Sequence, residues 1–325
     1  MRRILITGGT GFVGAYLVRF LKSFDAKLIV VSSRGAKIKE PGVDYCKADI
    51  CNPDDIHAIV RETNPNQIYH LAGVSSVAAS WNNPRVAFDV NVIGSFNVFE
   101  AAMRLSSPPK ILNVSTAQVY ANSADALAET DRLNPDNPYA ATKAMAELLA
   151  VQYQKCRSGG IITARAFNHT GPGQLPSFVL PSFAKQIAEM EAGLIPPVLK
   201  IGDINVKRDF TDVRDVVVAY CELLDKGTVG EVYNVCSGRA VLLTDLVGEL
   251  QKDCSVTVKI EVDHERVRPS DVPQVVGDPS KIQSVTGWTS RIPLETTLKD
   301  LLVYWRTAIK PDMAEDDDEL TKSLP

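Results

Sequence analysis

The chain has 325 residues, 45% of them hydrophobic and 23% charged, so it is long enough for one large domain or two unequal domains with a sizeable core. Lys and Arg total 35 against 39 Asp and Glu, and the net charge of -4 gives no basic field for nucleic acid or an anionic membrane surface. The six cysteines have no metal-ligand spacing and the histidines form no cluster, so we expect reduced thiols and no metal. Without a signal-peptide core or a stretch of membrane-span length, a cytoplasmic protein with no membrane partner is expected.

The first half of the chain alternates short apolar runs with amphipathic helical stretches. The runs "RILITG", "KLIVVSS", "VDYCKADI", "QIYHLAG", "KILNVST" and "IITARAF" are typical of buried strands. This alternation predicts an α/β fold with a doubly wound parallel sheet, covered by helices on both faces.

The first strand leads into a glycine-rich loop, "ILITGGTGFVG", which holds Gly8, Gly11 and Gly14 at the opening of a helix. Glycine lets the backbone approach a pyrophosphate, and the amides at a helix N-terminus stabilise its charge. A glycine-rich turn without a ligand is the alternative, but the position directly after a strand favours a dinucleotide-binding domain of the Rossmann type. We assign Phe12 and Val13, which lie within the loop, to the same site.

The second strand ends in "VVSSRG", where a carboxylate would ordinarily bind the adenosine ribose of NAD. Ser33 and Arg34 instead offer a hydroxyl and a guanidinium, which suit a 2'-phosphate and predict NADP(H) rather than NAD(H). A solvated surface arginine is the alternative for Arg34. Asp49 and Ile50, after the third strand, are assigned to the adenine edge and face, although Asp49 could instead cap a turn.

From Gly171 the sequence becomes rich in proline and glycine, which indicates a second region. The stretch "RDFTDVRDVVVAYCELLDKG" followed by "EVYNVCSG" predicts a helix and a strand that return to the sheet. We therefore assign residues 1–174 and about 209–238 to the Rossmann domain. Residues from about 175–208 and 239–312 are assigned to a smaller mixed α/β substrate-binding domain. The acidic segment 314–325 has no apolar face, and we expect it to be disordered.

The stretch "NPYAATKAMAE" places a phenol and an ammonium one helical turn apart. Asn137 can cap a helix and Pro138 suits its first turn, so Tyr139 and Lys143 would share one face. A nearby ammonium favours the phenolate, so we expect the pKa of Tyr139 to fall from about 10 towards the range of a proton-transfer catalyst. Such a pair is common on helices, but the upstream dinucleotide loop favours a catalytic role.

The strand "ILNVST" delivers Ser115 and Thr116 to the carboxyl edge of the sheet, where ligands of such sheets bind. We choose Thr116 as the third catalytic residue, because its hydroxyl can hydrogen-bond the substrate oxygen that Tyr139 protonates, and we expect Ser115 to face the interior.

Together, the glycine loop, the strand ending in Ser and Thr, and the Tyr-x-x-x-Lys pair resemble the extended short-chain dehydrogenase/reductase family as far as about residue 306. The motifs "AFNHTGPGQ", "FVLPSFAKQIAEME", "RDFTDVRDVV" and "RVRPSDVPQVVGDPSKIQSVTGW" are similar to the branch acting on GDP-linked 6-deoxyhexoses. The resemblance implies an enzyme that reduces the 4-keto group of GDP-4-keto-6-deoxy-D-mannose with NADPH. Further cofactor-site residues expected are Leu71, Ala72, Gly73, Val114, Phe167 and His169, the last beside the nicotinamide.

Position 118 bears on the choice between reduction and dehydration. A 4,6-dehydratase needs an extra base, and its pattern has a glutamate two residues after the catalytic threonine, where this chain has Gln118. An amide cannot accept that proton, which favours a reductase. GDP-mannose 4,6-dehydratase and sugar-nucleotide 4-epimerase stay open as alternatives, as does an NADP-binding regulator without turnover.

The resemblance also implies a substrate-binding set, which is Ser75, Thr116, Gln118, Asn168, Val179, Lys185, Arg208 and Arg268. Within it, Arg208 and Arg268 would grip the diphosphate and the nucleotide ribose, and Asn168 the sugar-phosphate linkage. Lys185 is assigned to the GDP moiety, Val179 to guanine and Ser75 to the hexose.

Two helices, at about 91–104 and 138–154, have apolar or small exposed faces. Relatives pair these helices into an intersubunit four-helix bundle, so a homodimer is expected, unless both pack within one subunit. Trp81, Trp288 and Trp305 are expected to fill cores.

Overall fold

The computed structural model describes residues 1–36, 38–157, 160–263 and 272–309. Arg268 and the segment 314–325 lie outside the described residues. The strands are β1 (Arg2–Thr7), β2 (Ala26–Ser32), β3 (Val43–Lys47), β4 (Gln67–His70), β5 (Lys110–Thr116), β6 (Gly160–Ala166), β7 (Asn168–Thr170), β8 (Val198–Ile201), β9 (Lys207–Asp212), β10 (Val232–Val235), β11 (Ala240–Leu242), β12 (Lys259–Val262) and β13 (Gln274–Val275).

The helices follow the strands through the chain. They are α1 (Phe12–Leu21), α2 (Pro53–Thr63), α3 (Val77–Asn82), α4 (Pro84–Phe88), α5 (Gly94–Met103), α6 (Pro138–Arg157), α7 (Val179–Glu191), α8 (Val213–Lys226), α9 (Leu243–Lys252), α10 (Ser280–Thr286) and α11 (Leu294–Ala308). A π-helical turn, Asp89–Ile93, joins α4 to α5, and a 3-10 turn, Ala117–Val119, follows β5.

Seven strands form one parallel sheet in the order β10-β6-β5-β4-β1-β2-β3, which confirms the predicted fold class. The strand order reverses between β1 and β4, and ligands of such sheets bind at the carboxyl ends on either side of that point. The last strand, β10, joins the outer edge beside β6, as expected from the helix and strand that precede residue 238.

The sheet is buried on both faces because its strands are apolar at successive positions. Along β1, Ile4 and Ile6 pack into the cluster that includes residues of α1 and α8, whereas Leu5 packs into the cluster with residues of α2 and α5. This double burial explains why the strands read as continuous apolar runs rather than as alternating ones.

A third apolar cluster lies apart from the seven-stranded sheet. It is built from α7, α9 and α11 together with residues of β8 and β9, and includes Phe183, Leu199 and Leu301. Strand β9 pairs with β11 and β13, and also with β7, which follows β6 after one residue. The β7–β9 pairing therefore brings this region to the carboxyl edge of the large sheet.

One helical stretch, Pro84–Met103, is long and apolar enough to cross a membrane by length and composition. The expectation that no stretch reaches this length was therefore wrong. However, 61% of its apolar window is buried inside the molecule, and a core helix of a folded protein passes the same test.

Several large apolar side chains stay exposed on helices α3 to α6 and the π-helical turn. They are Trp81, Val86, Phe88, Ile93, Phe96, Met145 and Leu148. The expectation that Trp81 fills a core was wrong, since it is 60% exposed, whereas Trp288 is buried at 4%. A single exposed apolar residue needs no explanation, but a set on neighbouring helices is typical of an interaction surface.

Candidate active site

The glycine loop closes so tightly that two of its positions exclude any side chain. Gly8 has φ of +70°, and a Cβ there would lie 2.6 Å from the backbone nitrogen of Ala72. A Cβ on Gly14 would lie 2.4 Å from the carbonyl oxygen of Gly8. Gly11 precedes α1 in an extended conformation without a side-chain cap, and α1 has no acidic residue in its first turn. The first amides of α1 are therefore free of side-chain acceptors and suit a phosphate.

The residues assigned to the adenosine end occupy two different environments. Ser33 and Arg34 are exposed after β2, and among the described residues the guanidinium of Arg34 has no hydrogen-bond or ion-pair partner. Asp49 accepts a hydrogen bond from the amide of Cys51 at 2.9 Å, so it does cap a turn. Ile50 is buried, and its side chain packs against Gly94 of α5. Ser33 and Arg34 thus present exposed polar side chains without a partner among the described residues.

Thr116, Tyr139 and Lys143 meet at the carboxyl end of β5. All three are buried, and the hydroxyls of Thr116 and Tyr139 are hydrogen-bonded to each other. The ammonium of Lys143 donates to the carbonyl oxygen of Val114 at 2.8 Å. A Cβ on Gly73 would lie 3.2 Å from the same nitrogen, so the segment after β4 passes directly over the lysine.

The pKa of Tyr139 corrects one prediction. Burial raises it, and the hydrogen bond with Thr116 only partly offsets that rise. Burial lowers the pKa of Lys143 to about 8, while the charge of Glu147 acts in the opposite direction. The expected acidification of the phenol by Lys143 is not found, because the ammonium is directed at the Val114 carbonyl and both groups have lost water.

The start of α6 is fixed by two side chains from different segments. Asn137 accepts a hydrogen bond from the amide of Ala140 at 2.9 Å, which confirms its predicted capping role. The amide of Tyr139 donates to the hydroxyl of Ser80, on α3, at 3.1 Å. The side-chain amide of Asn137 also donates to the side-chain oxygen of Gln118 at 3.1 Å, so Gln118 is held beside the first turn of α6.

His169 lies at the junction of β6, β7 and the glycine loop. Its ring stacks parallel to that of Phe12, with the centroids 6.4 Å apart, and its Nδ1 lies 3.0 Å from the carbonyl oxygen of Phe167. That contact makes Nδ1 the protonated nitrogen. Burial lowers the pKa of His169 below its usual value, so the ring is neutral near pH 7.

The substrate-side residues are only partly brought together. Ser75 is exposed just before α3, Asn168 is exposed at the start of β7, and Val179 begins α7. Lys185 forms an ion pair with Glu189. Arg208 on β9 donates to the carbonyl oxygens of Lys207 and Val272, at 2.9 and 2.8 Å.

Sequence reasoning missed two contributors to the site, Ser80 and the pair formed by Glu147 and Arg165. Arg165 binds the carboxylate of Glu147 with two nitrogens, and both side chains are buried. An arginine inside the apolar run "IITARAF" and a glutamate four residues after Lys143 were the available signs. In the part of the chain that the structure describes, no group of three or more His, Cys, Asp or Glu side chains is arranged to hold a metal ion.

Known proteins share both the sequence pattern and the architecture. The chain is 33% identical over 314 residues to GDP-6-deoxy-D-mannose reductase of Pseudomonas aeruginosa, covering 96% of this chain and 99% of that protein. It is 29% identical to GDP-6-deoxy-D-talose 4-dehydrogenase of Aggregatibacter actinomycetemcomitans, covering 88% and 91%. The solved structure of RMD from Pseudomonas aeruginosa complexed with NADPH superposes with a TM-score of 0.85 at 32% identity, covering 95% and 100%.

A profile of the family described as GDP-mannose 4,6 dehydratase matches residues 5–301. That range takes in the glycine loop, the Thr116, Tyr139 and Lys143 group, and most of the seven-stranded sheet and of the cluster built from α7, α9 and α11. The chain therefore belongs to the GDP-mannose 4,6-dehydratase family of extended short-chain dehydrogenases/reductases, whose members are enzymes acting on nucleotide sugars.

Proposed function

We propose that the protein reduces the 4-keto group of GDP-4-keto-6-deoxy-D-mannose with NADPH, giving GDP-6-deoxy-D-mannose, also called GDP-D-rhamnose. One observation carries the proposal. The Thr116, Tyr139 and Lys143 group stands beside Gln118, whose side-chain oxygen is taken by Asn137. The machinery for proton delivery is therefore complete, whereas a carboxylate base at position 118 is missing.

The glycine loop and the end of β2 support NADPH as the cofactor. Gly8 and Gly14 leave no room for a Cβ, so the backbone is bare where a pyrophosphate would approach. Arg34 is exposed and unpaired among the described residues, as a ligand for a 2'-phosphate should be. The remaining proposed cofactor contacts are Gly11, Phe12, Val13, Ser33, Asp49, Ile50, Leu71, Ala72, Gly73, Val114, Phe167 and His169.

The proposed reaction assigns one task to each catalytic residue. When bound, the nicotinamide supplies the hydride that C4 of the sugar receives. Tyr139 donates its phenolic proton to the keto oxygen, which becomes the hydroxyl of the product. Thr116 orients that phenol through their hydrogen bond, and Lys143 binds the ribose hydroxyls of the cofactor from its position under Gly73.

The raised pKa of Tyr139 suits this assignment, although the sequence predicted a lowered one. A reductase needs Tyr139 protonated before it acts, and the raised pKa keeps the phenol neutral across the physiological range. The neutral ring of His169 beside Phe12 leaves the nicotinamide pocket without a competing acid. The site is thus set to deliver one proton from one group.

Dehydration and epimerisation are the alternative reactions. A dehydratase must remove the C5 proton, and Gln118 cannot accept it. Epimerisation uses the same three catalytic residues but consumes no NADPH overall, so stoichiometric NADPH oxidation separates reduction from it. A regulator that binds NADP without turnover is the non-enzyme alternative, and it gives no reason for the buried Thr116 and Tyr139 contact.

The nucleotide-sugar side of the site is proposed to use Ser75, Gln118, Asn168, Val179, Lys185, Arg208 and Arg268. Two of these side chains must change partners to bind a diphosphate. Lys185 has to leave Glu189, and Arg208 has to share donors now given to backbone carbonyls. A guanidinium binds an anionic phosphate more strongly than the uncharged carbonyl oxygens that Arg208 now contacts, so this exchange is favourable.

The exposed apolar residues on α3 to α6 support a homodimer built as a four-helix bundle. Leu148 and Met145 on α6 are 63% and 43% exposed, and Phe96 on α5 is 40% exposed. In a dimer with a two-fold axis, each subunit contributes the same surface. The exposed apolar faces of α5 and α6 on one subunit would therefore be covered by the same faces of the other. A cytoplasmic location, expected from the sequence, stays a prediction that cell fractionation would test.

The test uses two reaction mixtures with purified protein. One contains GDP-4-keto-6-deoxymannose and NADPH, and the other contains GDP-mannose and NADP. We expect stoichiometric NADPH oxidation in the first mixture only, loss of that activity in Tyr139→Phe, and NMR of the product identifying the configuration at C4. Conversion of GDP-mannose to a keto sugar in the second mixture would overturn the proposal.

A further inference from the structure

Helix α6 carries a third buried ionisable side chain in line with the catalytic pair. Glu147 lies one turn beyond Lys143 and two turns beyond Tyr139, so the three residues share one face. Glu147 is 5% exposed and Lys143 is 9% exposed. A glutamate and a lysine four residues apart on a helix are within reach of an ion pair.

Lys143 nevertheless points elsewhere, because Glu147 is bound by another residue. The ammonium of Lys143 donates to the Val114 carbonyl. The carboxylate of Glu147 is held by Arg165, from β6, whose Nε lies 3.1 Å from Oε1 and whose Nη2 lies 2.8 Å from Oε2. This is the bidentate arrangement that a guanidinium forms with a carboxylate.

Arg165 is itself fixed on two further sides. Its Nη1 donates to the carbonyl oxygen of Glu129 at 3.1 Å, and its guanidinium lies 4.7 Å from the ring centre of Tyr120. Both side chains of the Arg165–Glu147 pair are buried. Apolar residues of similar volume are often as stable as a buried ion pair, so stability alone gives no reason for charges at these two positions.

We propose that Arg165 is a positioning residue, which holds the carboxylate of Glu147 away from Lys143 and so leaves the lysine directed at Val114 and Gly73. The inference rests on the catalytic role of Lys143 in the proposed function. It does not depend on which nucleotide sugar is reduced. Without Arg165, the carboxylate would be a buried, unpaired charge one turn from a buried ammonium, and the two would pair.

The charges around Lys143 make this effect measurable. Glu147 raises the pKa of Lys143 against the larger effect of burial, and Arg165 offsets the charge of Glu147. Two other titratable groups lie near the lysine in the described structure, and both are neutral near pH 7. His70 on β4 has a pKa lowered to about 3 by burial and by the charge of Lys143, and Tyr139 on α6 has a raised pKa.

The test compares the wild-type enzyme with Arg165→Met and with the double variant Arg165→Met/Glu147→Gln. Turnover and NADPH affinity, the latter by NADPH fluorescence, are measured against pH. We expect Arg165→Met to lower kcat by roughly tenfold and to move the alkaline limb of kcat/KM upward by about one pH unit, because Lys143 then faces an unscreened carboxylate. The double variant should return both quantities towards wild type, since the amide of glutamine carries no charge.

Two results would overturn the inference. A fall in kcat without a shift of the alkaline limb in Arg165→Met would mean that the Arg165–Glu147 pair has only a structural role. A double variant that stays roughly tenfold below wild type would mean the same, and it decides the question even where Arg165→Met alone does not fold. The pH dependence of NADPH affinity should shift in the same direction as that of kcat/KM. Because this affinity is measured without any sugar, it tests the inference even if the proposed substrate is wrong.

Discussion

The hydrogen bond between Ser80 and the amide of Tyr139 links the segment after β4 to α6, the helix that carries Tyr139 and Lys143. Ser80 is fully buried, accepts from that amide at 3.1 Å, and donates to the carbonyl oxygen of Val77 at 2.7 Å. Because Tyr139 lies in the first turn of α6, its amide has no acceptor within the helix. Ser80→Ala therefore leaves this donor unsatisfied in a buried position.

The expected effect has two parts. A buried donor without a partner costs about 1–3 kcal/mol, so the free energy of unfolding should fall by roughly 2 kcal/mol. A shift of the reacting group by about 1 Å can reduce a rate by roughly 100-fold. We therefore expect kcat to fall between about 10-fold and 100-fold in Ser80→Ala, with KM changing less than about threefold, because the bond holds the proton donor and not the substrate.

Ser76→Ala is the matched control. Ser76 caps the same helix, α3, by accepting from the amide of Ala79 at 3.2 Å, and it makes no bond to α6. Its loss should cost about 1 kcal/mol of stability, as for other helix caps. The assays are urea unfolding and NADPH oxidation with the keto sugar. Equal kcat values for Ser80→Ala and Ser76→Ala would refute the reasoning, since the bond to Tyr139 would then have no separate effect.

Three further predictions concern the cofactor, pH and assembly. Gly14→Ala should weaken NADPH binding by roughly 100-fold in a fluorescence titration, because its Cβ would lie 2.4 Å from the oxygen of Gly8 and displace the loop. Gly248→Ala is the control, and it should bind NADPH normally because the space around Gly248 is open. Turnover should fall above about pH 8, where the Lys143 ammonium loses its proton, and a pH profile that stays flat to about pH 10 would contradict this role. Leu148→Glu should give monomers by light scattering. Val303→Glu, at a similarly exposed position on α11, should leave a dimer. A dimer in both variants would contradict an interface at α6.

The parallel sheet and the placement of Tyr139 and Lys143 on one helix were predictable because both are encoded locally. Apolar runs of four to seven residues between helical stretches define strands buried on both faces. The spacing of Gly8, Gly11 and Gly14 marks the turn, and the four-residue spacing of Tyr139 and Lys143 marks one helix face. Residue type and spacing carried these predictions without knowledge of which elements are neighbours.

The partners of the proposed catalytic residues depended on the tertiary structure. Ser80 and Tyr139 are 59 residues apart, and Arg165 and Glu147 are 18 residues apart on different elements, so no periodicity relates them. The direction of the Tyr139 pKa shift also depended on the tertiary structure. Spacing placed an ammonium nearby, but the sign is set by burial and by where that ammonium points, and both are properties of the packed molecule.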